Sequence, residues 1–305
     1  MKTSGGRVLF TMEAAATFGL EAVVRDELLG LGVSVTSTLD RRVVFQGTAL
    51  DMARCNVRLR TADRVWLRMA DFPAADFDEL FEGVRKAAWR DLLPRTAAVL
   101  VKARSARSRL SAVPAIQSVS KKAIVDALLG VRGHHVHQRA EESGPEYTVE
   151  VSILHDHATV CLDTSGAGLH KRGYRTEAGA APLRENLAAA LVLLSRWDPS
   201  RPLADPLCGS GTIAIEAAMI ARGAAPGRSA WKPLARSFFC SRALSATSLQ
   251  DHDREVAGAP TMNLPSPEQG TSRSTLSKEA GISSPTFSPR PVLTSTFLHP
   301  CRATL

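Results

Sequence analysis

Asp205, Gly209 and Gly211 lie in the run DPLCGSGTIAIEAAMI (205–220), where a short apolar segment, PLAD, ends in a carboxylate and a glycine turn opens an apolar helix. Glycines let a backbone come close to a ligand, and the start of a helix offers N–H groups with no partner of their own. The spacing G-x-G-x-x-A at Gly209, Gly211 and Ala214 matches a dinucleotide fingerprint, a weak signal by itself. No Gly-Lys-Ser/Thr follows, which argues against a triphosphate-binding loop. Asp205 separates the readings that remain. A carboxylate at the tip of the turn repels a pyrophosphate but suits a cationic ligand such as S-adenosylmethionine, which carries an ammonium and a sulfonium. The bland alternative is a strand-to-helix turn that holds nothing.

A second set of chemistry-bearing residues is cationic. Between Lys102 and Arg139 the chain has eight Lys or Arg residues (Lys102, Arg104, Arg107, Arg109, Lys121, Lys122, Arg132, Arg139) and one acid, Asp126. This stretch carries close to the whole formal charge of +8, the footprint expected of a nucleic-acid surface unless it is simply a solvated face. HKRGYR (170–175) adds Lys171, Arg172 and Arg175 around Tyr174, placed for a phosphate contact or as a solvated linker. His134, His135 and His137 lack i, i+4 spacing and nearby carboxylate or thiolate partners, so no metal site is expected. The five cysteines are widely spaced and never form C-x-x-C, which suggests neither a disulfide framework nor zinc and fits a reducing cytoplasm. No signal sequence or membrane span is expected.

These residues need elements to position them. RVLFTM reads as a strand; Leu20, Val23, Val24, Leu28 and Leu31 recur on one helix face before Gly32. Strands are expected near 33–38 and 42–46, then a helix from about Thr48, then the alternating strand RVWLRMADF. Asp76 with Glu79 predicts a capping box for the helix FDELFEGVRKAAW. AAVLVKA follows as a strand, Pro114 to Leu129 as a helix, and YTVEVSIL with ATVCLD as a hairpin turning at His155 to His157. This order predicts an α+β region ending near Asp163, a glycine-rich connector over 164–181, a helix from Pro182 to about Trp197, and the PLAD strand.

The quoted run, extended to DPLCGSGTIAIEAAMIARGAAPG and preceded by DTSGAGLHKRGYRTEAGAAPLRENLAAALVLLSRW, resembles the bacterial 23S rRNA guanine-N2 methyltransferases, and FTMEAAATFGLEAVVRDELLGLG resembles their N-terminus. The match spans roughly residues 8 to 228. The resemblance implies an α+β N-terminal half, with a ferredoxin-like segment over 1–60 and a THUMP RNA-binding domain over 61–163. After the linker 164–181 it implies the start of an α/β Rossmann-like methyltransferase domain over 182–240. S-Adenosylmethionine is the implied cofactor and structured RNA, 23S rRNA or its precursor, the implied partner. The site residues carried over are Asp205, Pro206, Cys208, Gly209, Ser210, Gly211 and Thr212 at the methionine end, with Arg184, Glu185 and Asn186 of PLREN starting the helix that covers it. Lys102, Arg104, Arg107, Arg109, Lys121, Lys122, Lys171, Arg172 and Arg175 are the expected RNA contacts, recognising shape and backbone rather than sequence.

Two expected parts of such a site have no counterpart in the sequence. No Asp or Glu lies between Glu216 and Asp251, where a second strand would hold the ribose hydroxyls, and no Pro-Pro dipeptide exists for the N-P-P-Tyr/Phe motif that holds the target amine. From residue 241 on, 26 of 65 residues are Ser, Thr or Pro, which predicts a disordered tail and suggests a truncated or frameshifted product after about residue 240. The rival readings are a THUMP-type RNA-binding module without catalysis, separable by titration with S-adenosylmethionine, and a nicotinamide-dependent oxidoreductase, which Asp205 disfavours.

Overall fold

A computed structural model describes residues 2–4, 7–130, 142–174 and 183–227. The 241–305 tail, His134, His135, His137, Arg132, Arg139, Arg175, Pro182, Cys240 and Cys301 lie outside the described residues.

Alternating apolar residues build one mixed sheet. In chain order its strands are β1 (Lys2–Ser4), β2 (Arg7–Ala15), β3 (Ser34–Leu39), β4 (Arg42–Gly47), β5 (Arg64–Pro73), β6 (Ala98–Ala106), β7 (Glu146–Leu154) and β8 (His157–Asp163). They lie in the order β3-β4-β2-β5-β8-β7-β6, with β1 paired to β2 off this path. All pairs are antiparallel except β6 with β7, whose parallel register requires a crossover, and a long helix supplies it. Two-residue turns close the β3–β4 and β7–β8 hairpins. Arg41 (φ 61°) in the first and His155 and Asp156 (φ 51° and 57°) in the second adopt the left-handed backbone such turns demand.

Helices α1 (Glu21–Gly30), α2 (Ala49–Arg58), α3 (Phe77–Arg85), the single turn α4 (Trp89–Leu92) and α5 (Val113–Leu129) enclose the core against one face of the sheet. Met12, Ala14, Val43, Phe45, Val65, Leu67, Val101, Val149, Val160 and Leu162 point into it from the strands. Thr48 and Asp51 cap α2 reciprocally. At α3 only half of the expected box forms: Asp76 accepts from the Glu79 amide at 2.8 Å, whereas Glu79 reaches past Asp76 to the Ala75 amide. Gly83 is fixed by packing, since a Cβ there would fall 2.1 Å from the Phe72 ring.

The opposite face carries charge. Glu13 is bridged by Arg42 and Arg68, Arg42 also meets Glu150, and Arg68 meets Asp71 at 3.0 Å. Burial pushes the Glu13 carboxyl up, but the two guanidinium groups outweigh it and hold it below the usual value. Cys161 is buried on this face and its thiol is driven up, chiefly by burial, while Cys55 is pushed to about 12. Both are inert as nucleophiles.

After β8 come α6 (Glu185–Leu194) and α7 (Thr212–Ala221), which pack on each other. The helix expected from Pro182 to Trp197 is thus shorter at its C-terminal end. The expected strand Pro202–Asp205 does not form. A strand exists only by pairing, and among the described residues nothing pairs with this segment, so it runs as irregular chain into the turn. Residues 198–202 belong to a second unit, held locally by the Ser200 amide donating to Asp198 at 2.8 Å. Among the described residues no helix is long and apolar enough to cross a membrane.

Candidate functional site

The glycine turn takes the conformation its sequence demands. Gly209 (φ 51°) and Gly211 (φ 72°) are both left-handed, and a Cβ at either would meet nothing closer than 4.0 Å. Backbone conformation, rather than a close neighbour, therefore requires glycine here. The Gly211 amide donates to the Cys208 carbonyl at 2.7 Å and closes the turn. Gly211 is the N-cap of α7 and has no side chain to satisfy the first-turn amides. Asp205 Oδ1 accepts from the Leu207 amide at 3.3 Å, and Asp205 Oδ2 is buried with no hydrogen-bond partner. Ser210 and Thr212 hydroxyls lie 3.0 Å apart. Thr212 is buried, whereas Pro206, Cys208 and Ser210 are exposed and Leu207 is 92% exposed.

The PLREN segment splits. Arg184, the N-cap of α6, is exposed, while Glu185 and Asn186 point inward. The Asn186 amide donates to Asp63 Oδ1 at 2.8 Å, tying the helix to the N-terminal half, and its Oδ1 is buried without a partner. Two orphaned acceptor oxygens, on Asp205 and Asn186, thus sit in the two segments expected to hold a cationic cofactor, and an ammonium donor would satisfy either. Those acceptors and the open glycine turn fit the methionine end of S-adenosylmethionine. A groove of about 680 Å³ lies elsewhere, between β5 and α3, lined by Asp71, Asp78, Glu79 and Glu82 and by none of these residues.

The cations expected to contact RNA do not share one surface. Lys102 and Arg104 project from the edge strand β6 on the charged face, with exposed Arg107 and Arg109 in the loop beyond its end. Lys121 and Lys122 lie on α5, across the sheet, where Lys121 pairs with Glu142 at 2.7 Å and Lys122 stands 5.9 Å from the Phe81 ring. Arg104 reaches Ser152 at 3.0 Å and Glu150 at 3.4 Å, and Arg109 lies 3.7 Å from Asp156. Lys102, Arg107 and exposed Lys171 have no ion-pair partner among the described residues. Lysine and arginine on an edge strand also block edge-to-edge association, which is a bland reason for part of this pattern.

Arg172 is a correction. Expected at an RNA surface, it is entirely buried, with its guanidinium donating to Glu216 of α7 and to the Arg60 carbonyl. Sequence reading passed over its partners. Glu216, the lone acid of TIAIEAAMIA, also accepts from the Tyr174 hydroxyl at 2.8 Å. Arg60 donates to the Ala224 carbonyl at 2.6 Å, and the Glu27 carboxylate gathers the amides of Arg60 and Thr61, each at 2.9 Å. Burial raises the Glu216 and Glu27 carboxyls and the Tyr174 hydroxyl above their ordinary values and lowers Arg60. The signal that could have found this cluster is an isolated acid in an otherwise apolar helix, since burial without a partner would be costly. Among the described residues no cluster of His, Cys, Asp and Glu is arranged for a metal.

Comparison with known proteins matches residues 11–71 to the RlmL ferredoxin-like domain, 74–163 to the THUMP domain, and 172–259 to the RMKL-like methyltransferase domain. The "Putative RNA methyltransferase YpsC" of Bacillus subtilis is 48% identical over 218 residues, covering 72% of this chain and 56% of that protein. The ribosomal RNA large subunit methyltransferase K/L of Aliivibrio salmonicida is 36% identical over 245 residues, covering 80% of this chain and 33% of that protein. The crystal structure of SMU.472 complexed with SAH superimposes with a TM-score of 0.72 at 41% identity, covering 82% of this chain and 64% of that one. The chain thus spans a little over half of one curated relative and a third of the other.

Proposed function

From the premise that this chain carries the RlmL-type ferredoxin-like, THUMP and RMKL-like methyltransferase domains in that order, we propose that it is built for S-adenosylmethionine-dependent methylation of RNA, at guanine N2 of 23S rRNA in the cytoplasm. The observation that carries this reading is the orphaned Asp205 oxygen beside a left-handed glycine turn that opens an uncapped helix. In it, Asp205 would hold the ammonium and the first amides of α7 would hold the carboxylate of the methionine end. Gly209 and Gly211 would leave room for the rest, and Asn186 and Thr212 would line the approach. When bound, S-adenosylmethionine supplies an electrophilic methyl group on its sulfonium. The chain's own contribution is alignment and exclusion of water.

Among the described residues no such provision for the ribose or the target base is present. With no acid between Glu216 and Asp251 and no Pro-Pro dipeptide, we infer that the chain by itself does not turn over. Calorimetric titration with S-adenosylmethionine and a methyl-transfer assay on 23S rRNA test both parts: binding without transfer is expected. Transfer by the chain alone would overturn the second part, and absence of binding would overturn the first.

The β6 edge and its loop favour a second reading, an RNA-binding module without catalysis. Lys102, Arg104, Arg107 and Arg109 form one stripe there. Backbone recognition of this kind predicts RNA affinity that falls steeply with salt. Silence towards S-adenosylmethionine together with salt-dependent RNA binding would favour the module.

A further inference from the structure

Helix α7 cannot set its own orientation by apolar packing. Apart from Thr212 and Glu216 it reads Ile, Ala and Met on every side, so the sequence offers no apolar stripe to fix its roll. Its two polar residues, four apart and therefore on one face, are buried together with the small Ala217, while Ala214, Ile215 and Ala218 are exposed. Glu216 is fully buried with Arg172 and is met by the half-buried Tyr174, two residues of the segment entering the methyltransferase domain, and Arg172 reaches on to the Arg60 carbonyl just past the end of α2. The far end of α7 is tied to the same corner. Arg60 donates to Ala224, and the Gly227 amide donates to the Val57 carbonyl at 2.9 Å, so closely that a Cβ at Gly227 would fall 2.8 Å from the Asn56 carbonyl.

We propose that Arg172, Tyr174 and Glu216 are positioning residues that fix the roll and height of α7, so that its first turn, with Gly209 and Gly211, presents a preformed cofactor cradle keyed to the ferredoxin-like segment. The physical reason is specificity rather than stability. A buried ion pair adds little net stability over a packed apolar pair, but it accepts one arrangement where an apolar contact accepts several. The chain tolerates the desolvation of two charges at this point, and the helix they hold is the one whose N-terminus forms the glycine turn. This inference deepens the proposed function and rests on it for the identity of the ligand.

The test compares the full chain with the double variant Arg172→Met/Glu216→Leu, which removes both charges while keeping the space filled, and with Tyr174→Phe. The double variant is expected to melt within a few degrees of the parent, yet its amides over 209–221 should exchange with deuterium at least 10-fold faster while those of β5, β7 and β8 do not change. Tyr174→Phe, which leaves the ion pair in place, should give a smaller acceleration confined to the same amides. Affinity for S-adenosylmethionine should fall at least 10-fold in the double variant. Unchanged exchange over 209–221, acceleration spread evenly over the sheet, or undiminished cofactor affinity would overturn the proposal. If the parent binds no S-adenosylmethionine, the cofactor reading fails, and the exchange pattern alone still decides whether these residues hold the helix. If the double variant does not fold, the exchange pattern of Tyr174→Phe decides it.

Discussion

The sheet with its five helices and the pair α6–α7 differ in what they bury besides apolar side chains. In the first region apolar residues go inside, from Met12 and Phe45 to Val151 and Leu162, and the charges of Glu13, Arg42, Arg68 and Glu150 are gathered on the face away from the core. In the second, Glu185, Asn186, Thr212 and Glu216 are inside beside Ala188, Ala189, Ala190, Val192 and Ala217, and Leu191, Leu194 and Ile215 are outside. The first region is stabilised by burial that would be favourable in any chain of this pattern. The second adds to a small apolar contact between its helices a few directed contacts to residues 57–63.

The comparison predicts a large asymmetry under truncation. Trp89 is fully buried and its indole donates to the Val84 carbonyl at 2.7 Å, so Trp89→Ala should cost about 3–5 kcal/mol in denaturant unfolding. Leu191→Ala, on the exposed side of α6, should cost less than ~0.5 kcal/mol. Similar costs for the two would erase the distinction. Glycine substitutions sharpen it at intermediate size. Gly83→Ala, meeting the Phe72 ring, should cost about 1–3 kcal/mol in global unfolding. Gly211→Ala meets no atom and strains only a left-handed residue, so about 1 kcal/mol is expected, read as a loss of local protection in the turn.

Acid separates the regions by sign. The Glu13 carboxyl is held below its ordinary 4.5, so its contribution is present above that pH and is lost as pH falls through the lowered value. The Glu216 carboxyl is raised by burial, so its folded form binds the proton more tightly and the corner around it weakens as pH rises from 4.5 through the raised value. Denaturant unfolding followed from pH 7 downwards should show the Glu216 contribution growing before that of Glu13 is lost below 4.5. Parallel behaviour of the two contributions would contradict this assignment. The smallest effect lies at the surface. Lys102→Ala should reduce the salt dependence of RNA binding by about one phosphate contact, with no change in unfolding.

Legibility followed the same division. Strands β4 to β8 and the β7–β8 hairpin could be read because alternation and turn chemistry are local, as could α2 at Thr48 and α5 ending at the left-handed Gly130. The single-turn helix at Trp89 is too short to show periodicity, and PLAD reads as a strand by composition but lacks the neighbour that makes one. In the candidate site the glycine turn was legible because positive φ at Gly209 and Gly211 is encoded by residue type. The Arg172–Glu216–Tyr174 cluster was not.

Arg172 and Lys171 are adjacent cations in HKRGYR, and nothing in their types says which one meets water. The sequence alone determined where charge, glycine and alternation occur, and with them the local backbone, because those properties act within a few residues. Tertiary structure alone decided that Lys171 stays solvated while Arg172 is buried against a carboxylate 44 positions away. The physical reason is that the free energy of a charge depends on the dielectric and the partners around it, and here those are supplied by residues distant in the chain.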